Sequence, residues 1–360
     1  MAQRIVVGMS GGVDSAVAAL TLKRQGYDVI GVFMKNWEEQ DEDGVCTSAQ
    51  DWQDVQRICD AIDIPYYSVN FAREYMDRVF KYFLDEYRRG RTPNPDVLCN
   101  REIKFGTLLD FALQLGADKL ATGHYAGVEE RGGEYLLRRS ADENKDQTYF
   151  LYMLGQHALS RAMFPIGGMT KPELRRIAAE NNIPVSQKKD STGVCFIGER
   201  NFKKFLMQYL PAQPGDMRTL DGKVVGHHDG LMYYTLGQRR GLGIGGSGDG
   251  RRWFVVGKDL QNNVLLVEQG EDSPLLYSDA AECELPSWAA GHAPVEPGER
   301  LECKVRLRHR QPLQDAYLAL TDDGFRLDFA QKQRAVTPGQ AAVVYVGDYC
   351  LGGGTVREAL

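Results

Sequence analysis

The stretch Arg4-Ile5-Val6-Val7-Gly8-Met9-Ser10-Gly11-Gly12-Val13-Asp14-Ser15, running on through Ala16 to Gln25, decides how this chain is read. An apolar run of strand length breaks into paired glycines and then into a helix-forming segment. Such a connection lets backbone N–H groups close on an anion, because the first helical turn has donors without intrahelical acceptors and the positive end of the helix dipole. The predicted guest is a phosphate, with a nucleotide as its carrier. A P-loop would carry Lys directly before its closing Ser or Thr, whereas Asp14 stands before Ser15 here. Cleavage at a terminal phosphate is therefore disfavoured.

From Ile5 to about Ile197 short apolar runs alternate with amphipathic stretches: Val29 to Met34, Ser48 to Ile62, Tyr66 to Val69, Thr107 to Leu115, Lys119 to Thr122. That alternation predicts an α/β domain on a mostly parallel sheet, with ligands beyond the carboxyl ends of the strands. Gly8 to Ser15, Met34 and Gly123 all fall on that rim. Thr170-Lys171-Pro172-Glu173 is the start signal of a late helix. After Asn201 to Leu210, the segment Pro211-Ala212-Gln213-Pro214-Gly215 reads as a boundary, beyond which helical periodicity fades. Short turn-bounded segments predict a small central β-rich domain, and Leu301 to Leu307, Ala316 to Leu320, Gly324 to Asp328, Ala341 to Val346 and Tyr349 to Leu351 predict a terminal β-barrel. The expected domains are 1–207, 208–270 and 271–360. Gly241 to Gly250 holds six glycines and reads as a mobile loop.

Length and composition suit a globular protein with more than one core: 360 residues, 43% of them hydrophobic and 26% charged. No run approaches the length of a membrane span, and the chain enters its first strand too soon for a signal peptide, so a cytoplasmic setting is expected. Seven cysteines, widely spaced and without C-x-x-C, argue against a disulfide scaffold and a zinc knuckle. No metal-ligand spacing is visible. The net charge of -6 counts against a nucleic-acid partner only if local basic patches are lacking.

Two cysteines stand apart. In Thr92-Pro93-Asn94-Pro95-Asp96-Val97-Leu98-Cys99-Asn100, Asn94 is a natural N-cap and Pro95 a natural first helical residue, so Asp96 and Cys99 share a helix face. Asp96 is a candidate proton acceptor. A helix start lowers a thiol pKa and a nearby carboxylate raises it, which leaves the resting state of Cys99 open. Cys195 lies in Gly193-Val194-Cys195-Phe196-Ile197-Gly198, where small residues suggest an exposed loop suited to a nucleophile. In Cys303-Lys304-Val305-Arg306-Leu307-Arg308-His309-Arg310 a strand would set Lys304, Arg306, Arg308 and Arg310 on one face, as phosphate contacts or as a plain solvated face. Tyr233-Tyr234-Thr235-Leu236-Gly237-Gln238-Arg239-Arg240-Gly241 suits stacking on single-stranded RNA, or a packed β-hairpin equally well.

Ser10-Gly11-Gly12-Val13-Asp14-Ser15 resembles the pyrophosphate-binding loop of the PP-loop ATP pyrophosphatases, which split ATP between its α and β phosphates. Across the whole chain the ordered set of motifs is similar to the tRNA-specific 2-thiouridylases. The set comprises Gly8 to Ser15, Thr92 to Asn100 with Ile103-Lys104-Phe105-Gly106, Ala121-Thr122-Gly123-His124-Tyr125, Lys145-Asp146-Gln147, Gly193 to Gly198 and Tyr233 to Gly246. The resemblance implies ATP binding by Gly8, Met9, Ser10, Gly11, Gly12, Val13, Asp14, Ser15, Met34 and Gly123, with Mg²⁺ expected alongside. It implies that Asn94, Pro95 and Asp96 meet the target base. It also implies tRNA contacts through His124, Lys145, Asp146, Gln147, Arg308, His309 and Gln340. Cys195 would carry sulfur as a persulfide from a donor protein, with Cys99 as partner nucleophile. Two other classes stay in view: an amide-forming ATP pyrophosphatase that uses ammonia, and a nucleotide-gated RNA-binding module.

Overall fold

The computed structural model describes residues 2–37, 47–189, 202–245 and 250–360. Cys46 and Cys195 lie outside the described residues, as do the rest of Gly193 to Gly198 and part of the glycine-rich stretch 241–250. The first strands are β1 (Arg4–Met9), β2 (Asp28–Lys35), β3 (Tyr66–Asn70) and β4 (Lys119–Thr122). A hairpin, β5 (Ala126–Arg131) and β6 (Glu134–Arg139), precedes the short β7 (Ala162–Met163). One sheet takes the order β3-β2-β1-β4-β7, every pairing parallel. Successive side chains of β1 point to opposite faces, so Val6 enters one core and Ile5, Val7 and Met9 another. Helix α1 (Val13–Arg24) and α2 (Thr47–Ile62) cover the second face. Gly8 lies opposite Val32 and Thr122, which brings the ends of β1, β2 and β4, and so Met34 and Gly123, onto the expected rim.

The segment after Asn94 departs from expectation. Pro95–Leu98 is α-helical and runs without a break into a π-helix, Cys99–Leu108, before α-geometry returns at Leu109–Gln114. The wider turn is visible in the Thr107 hydroxyl, which donates to the carbonyl of Glu102, five residues back, at 3.1 Å. Cys99 is therefore the first residue of the widened helix. At Thr170 the expected helix start is present: the Glu173 carboxylate accepts from the Thr170 N–H and hydroxyl, both at 2.8 Å.

The central sheet comprises β8 (Gly215–Arg218), β9 (Val224–His228), β10 (Trp253–Asp259) and β11 (Val264–Gln269) in the order β10-β11-β8-β9. Its core includes Tyr234, and the Tyr233 hydroxyl donates to the Leu210 carbonyl at 3.4 Å. Of the two uses open to Tyr234, packing is the one observed. No hairpin forms there, since Leu231–Tyr233 is a 3₁₀ turn.

The last sheet contains β12 (Tyr277–Trp288), β13 (Leu301–Arg306), β14 (Gln314–Thr321), β15 (Gly324–Arg334), β16 (Ala341–Val346) and β17 (Tyr349–Ala359). They run β12-β15-β14-β13-β16-β17, and pairing of β12 with β17 closes a barrel. Before reaching β12, strand β17 pairs Tyr349 and Cys350 with Arg138 and Leu137 of β6. The N-terminal hairpin is thus hydrogen-bonded into the barrel's sheet, which nothing in the hydrophobic pattern announced.

That stitching overturns the basic row. Strand β13 ends at Arg306, so Arg308 and Arg310 lie beyond it. Arg306 is turned inward, where its guanidinium meets Asp146 at 2.8 Å with both side chains almost wholly buried. Lys304 alone of the strand's two basic residues is exposed, and it pairs with Asp315. Asp146 also accepts from the Thr148 hydroxyl at 3.0 Å and from the Thr148 and Ser140 N–H groups. Buried among these partners, the Asp146 carboxylate joins the barrel to the first domain.

Removing one member of a buried pair strands the other's charge. Arg306→Met is expected to destabilise the protein by about 3–5 kcal/mol in urea denaturation, and Arg306→Met with Asp146→Leu to recover most of that loss. A double variant as unstable as the single would contradict this reading.

Candidate nucleotide and base site

Strand β1 delivers the chain to the rim, and Gly11, at φ +71°, turns it into α1. The turn is fastened internally. The Ser10 N–H donates to the Ser15 hydroxyl at 3.2 Å, and that hydroxyl donates to the Gly12 carbonyl at 3.1 Å. Gly12, the N-cap, supplies no side chain to the first turn, so the N–H groups of Val13, Asp14 and Ser15 keep the open donor capacity of a helix start. Gly123 closes in from β4. A Cβ there would lie 2.6 Å from the Ser15 nitrogen and 2.8 Å from the Asp14 carbonyl carbon, which leaves room for glycine alone.

The charge that a P-loop lysine would supply arrives from elsewhere in the chain. Lys171, first residue of the helix Lys171–Glu180, donates to the Asp14 carboxylate at 2.7 Å, and the Tyr125 hydroxyl donates to the same oxygen at 3.2 Å. Lys188 donates to the Gly11 carbonyl at 3.2 Å and to Asp51 and Asp54 at 2.8 Å each. Burial disfavours the Lys188 charge, but its bonds to the two aspartates outweigh this and raise its pKa. Asp54 answers in kind, burial being overcome by Lys188 and Arg57 so that its pKa falls. Sequence reading missed both lysines, because only the fold sets positions 171 and 188 beside positions 11 to 14.

Among the described residues no group of three or more His, Cys, Asp or Glu is placed to hold a metal ion. Asp14, Asp51 and Asp54 are engaged by lysines. The donors present do not form a Mg²⁺ cage, and any Mg²⁺ would be held chiefly by phosphate and water oxygens.

On the neighbouring helix the Asn94 carbonyl oxygen accepts from the Asp96 N–H at 3.2 Å, as an N-cap should. Cys99 is fully buried. The helix passes the phosphate loop: the Leu108 side chain packs 3.4 Å from where a Cβ on Gly8 would sit. His124 is buried beside it, with Nδ1 2.7 Å from the Thr122 hydroxyl and Nε2 3.5 Å from the Lys104 ammonium. An ammonium can only donate, so Nε2 accepts and Nδ1 carries the proton. In this conformation His124 is a buried residue. Burial, aided by Lys104, drives its pKa well below 6.5.

The other expected RNA residues lie where the barrel meets this helix. The Gln340 amide donates to the Thr92 carbonyl at 2.6 Å, and the Thr92 N–H donates to the Pro338 carbonyl at 3.0 Å. Arg308 donates to the carbonyl of Ala335, and His309 lies 4.4 Å, ring to ring, from Phe150. Gln147 exchanges hydrogen bonds with the backbone of Tyr125, one through its side chain and one through its N–H, both 2.9 Å. Lys145 is partly exposed. Asn94 also borders a cavity of about 390 Å³ between this helix and the barrel, walled by Tyr82, Tyr152 and Leu285, with Arg78 and Arg101. Asp96 and Cys99 do not line it.

A parallel sheet whose central strand ends in a glycine-serine phosphate loop without the P-loop lysine defines a PP-loop ATP pyrophosphatase domain. Residues 3–199 match the family model described as tRNA methyl transferase HUP domain, residues 203–269 the tRNA methyl transferase PRC-barrel domain, and residues 278–356 the aminomethyltransferase beta-barrel domain. The chain is 59% identical over 356 residues to the tRNA-specific 2-thiouridylase MnmA of Bacillus subtilis (strain 168), covering 99% of this chain and 95% of that one. It is 58% identical over 358 residues to the protein of that name from Alkaliphilus oremlandii (strain OhILAs), covering 99% and 98%. Among solved structures, the U34-tRNA thiolase NcsA from Methanococcus maripaludis aligns with a TM-score of 0.37 at 16% identity, over 57% of this chain and 64% of that one. The chain belongs to the tRNA-specific 2-thiouridylase family.

Two outcomes follow from the geometry. Gly123→Ala is expected to lose ATP binding in equilibrium dialysis while the barrel stays folded, since its methyl must displace the backbone of the first turn. A variant that binds ATP normally would refute the close approach. For His124, the lowered folded pKa means that its stabilising contribution is complete above 6.5 and is lost as pH falls toward the folded value. Denaturation stability should fall on acidification from pH 6.5, and His124→Asn should flatten that slope; an unaltered slope contradicts the assignment.

Proposed function

We propose that this chain is an ATP-dependent tRNA sulfurtransferase that makes 2-thiouridine at the wobble position. The observation that carries the reading is the phosphate loop with open α1 donors beside a helix that begins Asn94-Pro95-Asp96 and places Cys99 at its π-helical turn. Full-length similarity to relatives named as tRNA-specific 2-thiouridylases supports the substrate class.

In this reading ATP lies with its β and γ phosphates at Gly8 to Ser15, Met34 and Gly123 on the rim. The uridine O2 attacks the α-phosphorus, pyrophosphate leaves, and the oxygen is bound as an adenylate. Backbone donors at the start of α1 and the Lys171 and Lys188 ammonium groups stabilise charge that builds on the departing pyrophosphate. Mg²⁺, when bound with the triphosphate, adds further charge neutralisation there. In this reading Asp96 is the proton acceptor.

Cys195 receives a persulfide sulfur from a donor protein. Its terminal sulfur bonds to C2 and AMP leaves with the former O2. Attack by the Cys99 thiolate on the Cys195 sulfur then frees 2-thiouridine, leaving a Cys99–Cys195 disulfide that a dithiol must reduce by two electrons. In the second route Cys99 attacks first, releasing sulfide that displaces AMP; the disulfide is the same. Lys188, seven positions before Cys195 in the sequence, is anchored on the phosphate loop. Because Cys99 is buried, the reading requires the residues packed over it to move before its sulfur can react. Lys145, Gln147, Arg308, His309 and Gln340 surround that junction and are the proposed RNA contacts, with Asp146 and His124 acting through the positions they hold.

The wild-type protein, given ATP, Mg²⁺, a persulfide donor and unmodified tRNA, is expected to form AMP, pyrophosphate and 2-thiouridine in equal amounts. Cys99→Ser and Cys195→Ser should each abolish thiolation. Retained turnover in both variants with ammonia as acceptor would favour an amide synthetase, and pyrophosphate release independent of tRNA would refute the reading.

A further inference from the structure

Lys104, in the motif Ile103-Lys104-Phe105-Gly106, sits within the π-helix five residues after Cys99. A π-turn closes on the residue five positions along, so these two side chains leave the helix one turn apart on the same side, where α-geometry would separate them by about 140°. The widened helix carries Lys104 round to the side of the thiol. There its ammonium lies 3.5 Å from Nε2 of His124. The imidazole is fixed in turn by the Thr122 hydroxyl at 2.7 Å and by the rings of Phe105 and Phe164, whose centres are 6.2 and 6.1 Å away. His124 directly follows Gly123, the residue that closes on the first turn of α1. Lys104 therefore reaches the rim of the phosphate loop from the base-contacting helix. Lys171 and Lys188 each face a carboxylate at that loop. Lys104 makes no ion pair among the described residues, and its neighbour Glu102 is taken by Arg101 at 2.7 Å. One of its N–H bonds goes to a neutral imidazole, so two N–H bonds and the whole charge are left for an anion.

We propose that Lys104 is a further catalytic residue, whose ammonium binds the α-phosphate during adenylation and stays on it as AMP departs. This rests on the reading that the uridine O2 attacks the α-phosphorus at this site. With the β and γ phosphates at the loop and the base at Asn94 to Asp96, the α-phosphate lies between the two, on the side to which the π-helix turns Lys104. Attack forms the O2–P bond as the P–O bond to pyrophosphate breaks. Arrival of sulfur at C2 then breaks the C2–O2 bond, and its electron pair leaves on AMP. Negative charge builds on the phosphoryl oxygens in both steps, and an ammonium already fixed beside them stabilises it. His124 is a positioning residue for this cation, because its Nε2 holds one of the three N–H bonds and aims the others.

Equilibrium dialysis of the full chain against AMP and against inorganic pyrophosphate separates this role from that of the loop. Lys104→Met is expected to weaken AMP binding about 10- to 100-fold, the worth of a charge-assisted hydrogen bond, while pyrophosphate binding stays at the wild-type level. Its kcat for AMP formation in the presence of tRNA should fall about 100-fold. Lys104→Arg, which keeps the charge, should recover most of the AMP affinity. AMP binding that is unchanged in Lys104→Met, or missing from the wild type, overturns the proposal. So does a parallel loss of both ligands in Lys104→Met that Lys104→Gln repeats, since that marks general damage to the site. The dialysis involves no RNA. A wild type that makes no 2-thiouridine therefore defeats the functional reading, while a loss confined to AMP still assigns Lys104 to the α-phosphate.

Discussion

The open N–H donors at the start of α1 are the feature on which the rest of the structure depends. They exist because β1, buried on both faces, ends at a turn from which no side chain caps the first turn of α1. Gly11 supplies the left-handed turn and Gly123 the close backbone approach. A lysine inside the loop would have fixed attention on the terminal phosphate. Lys171 and Lys188 come instead from a separate helix and from the segment that leads toward Cys195, so charge at the loop is tied to how the rest of the domain is folded.

The second constraint is the junction between the first domain and the barrel. Strand β17 pairs with β6, Arg306 is buried against Asp146, Gln340 holds Thr92, and the Tyr149 hydroxyl meets the Leu307 and Ala341 carbonyls. Of these contacts, the Gln340 bond reaches Thr92, two residues before the cap of the Cys99 helix. The barrel is therefore part of the base site's support. Residues that read in sequence as RNA contacts divide into those that remain at the surface and those, such as Asp146 and His124, that are spent on holding the site.

Much of this was legible in the chain. β1, α1 and the lack of a P-loop lysine follow from one stretch of residues, and the Asn94 cap and the Thr170–Glu173 start follow from local chemistry. Other features were hidden for physical reasons. A π-helix has nearly the same apolar periodicity as an α-helix over two turns, so Cys99–Leu108 gave no separate signal. Arg306 sits at an alternate position in a basic run, and only the partner 160 residues away makes its burial affordable. Lys171 and Lys188 carry no motif, and their roles arise from long-range packing.

The most direct test follows one oxygen atom. With tRNA carrying ¹⁸O at C2 of the target uridine, the account predicts that thiolation transfers the label to the phosphate of AMP, because that oxygen attacks the α-phosphorus and departs with it. Unlabelled AMP, or label found in pyrophosphate or released to water, would contradict activation of the base at this site.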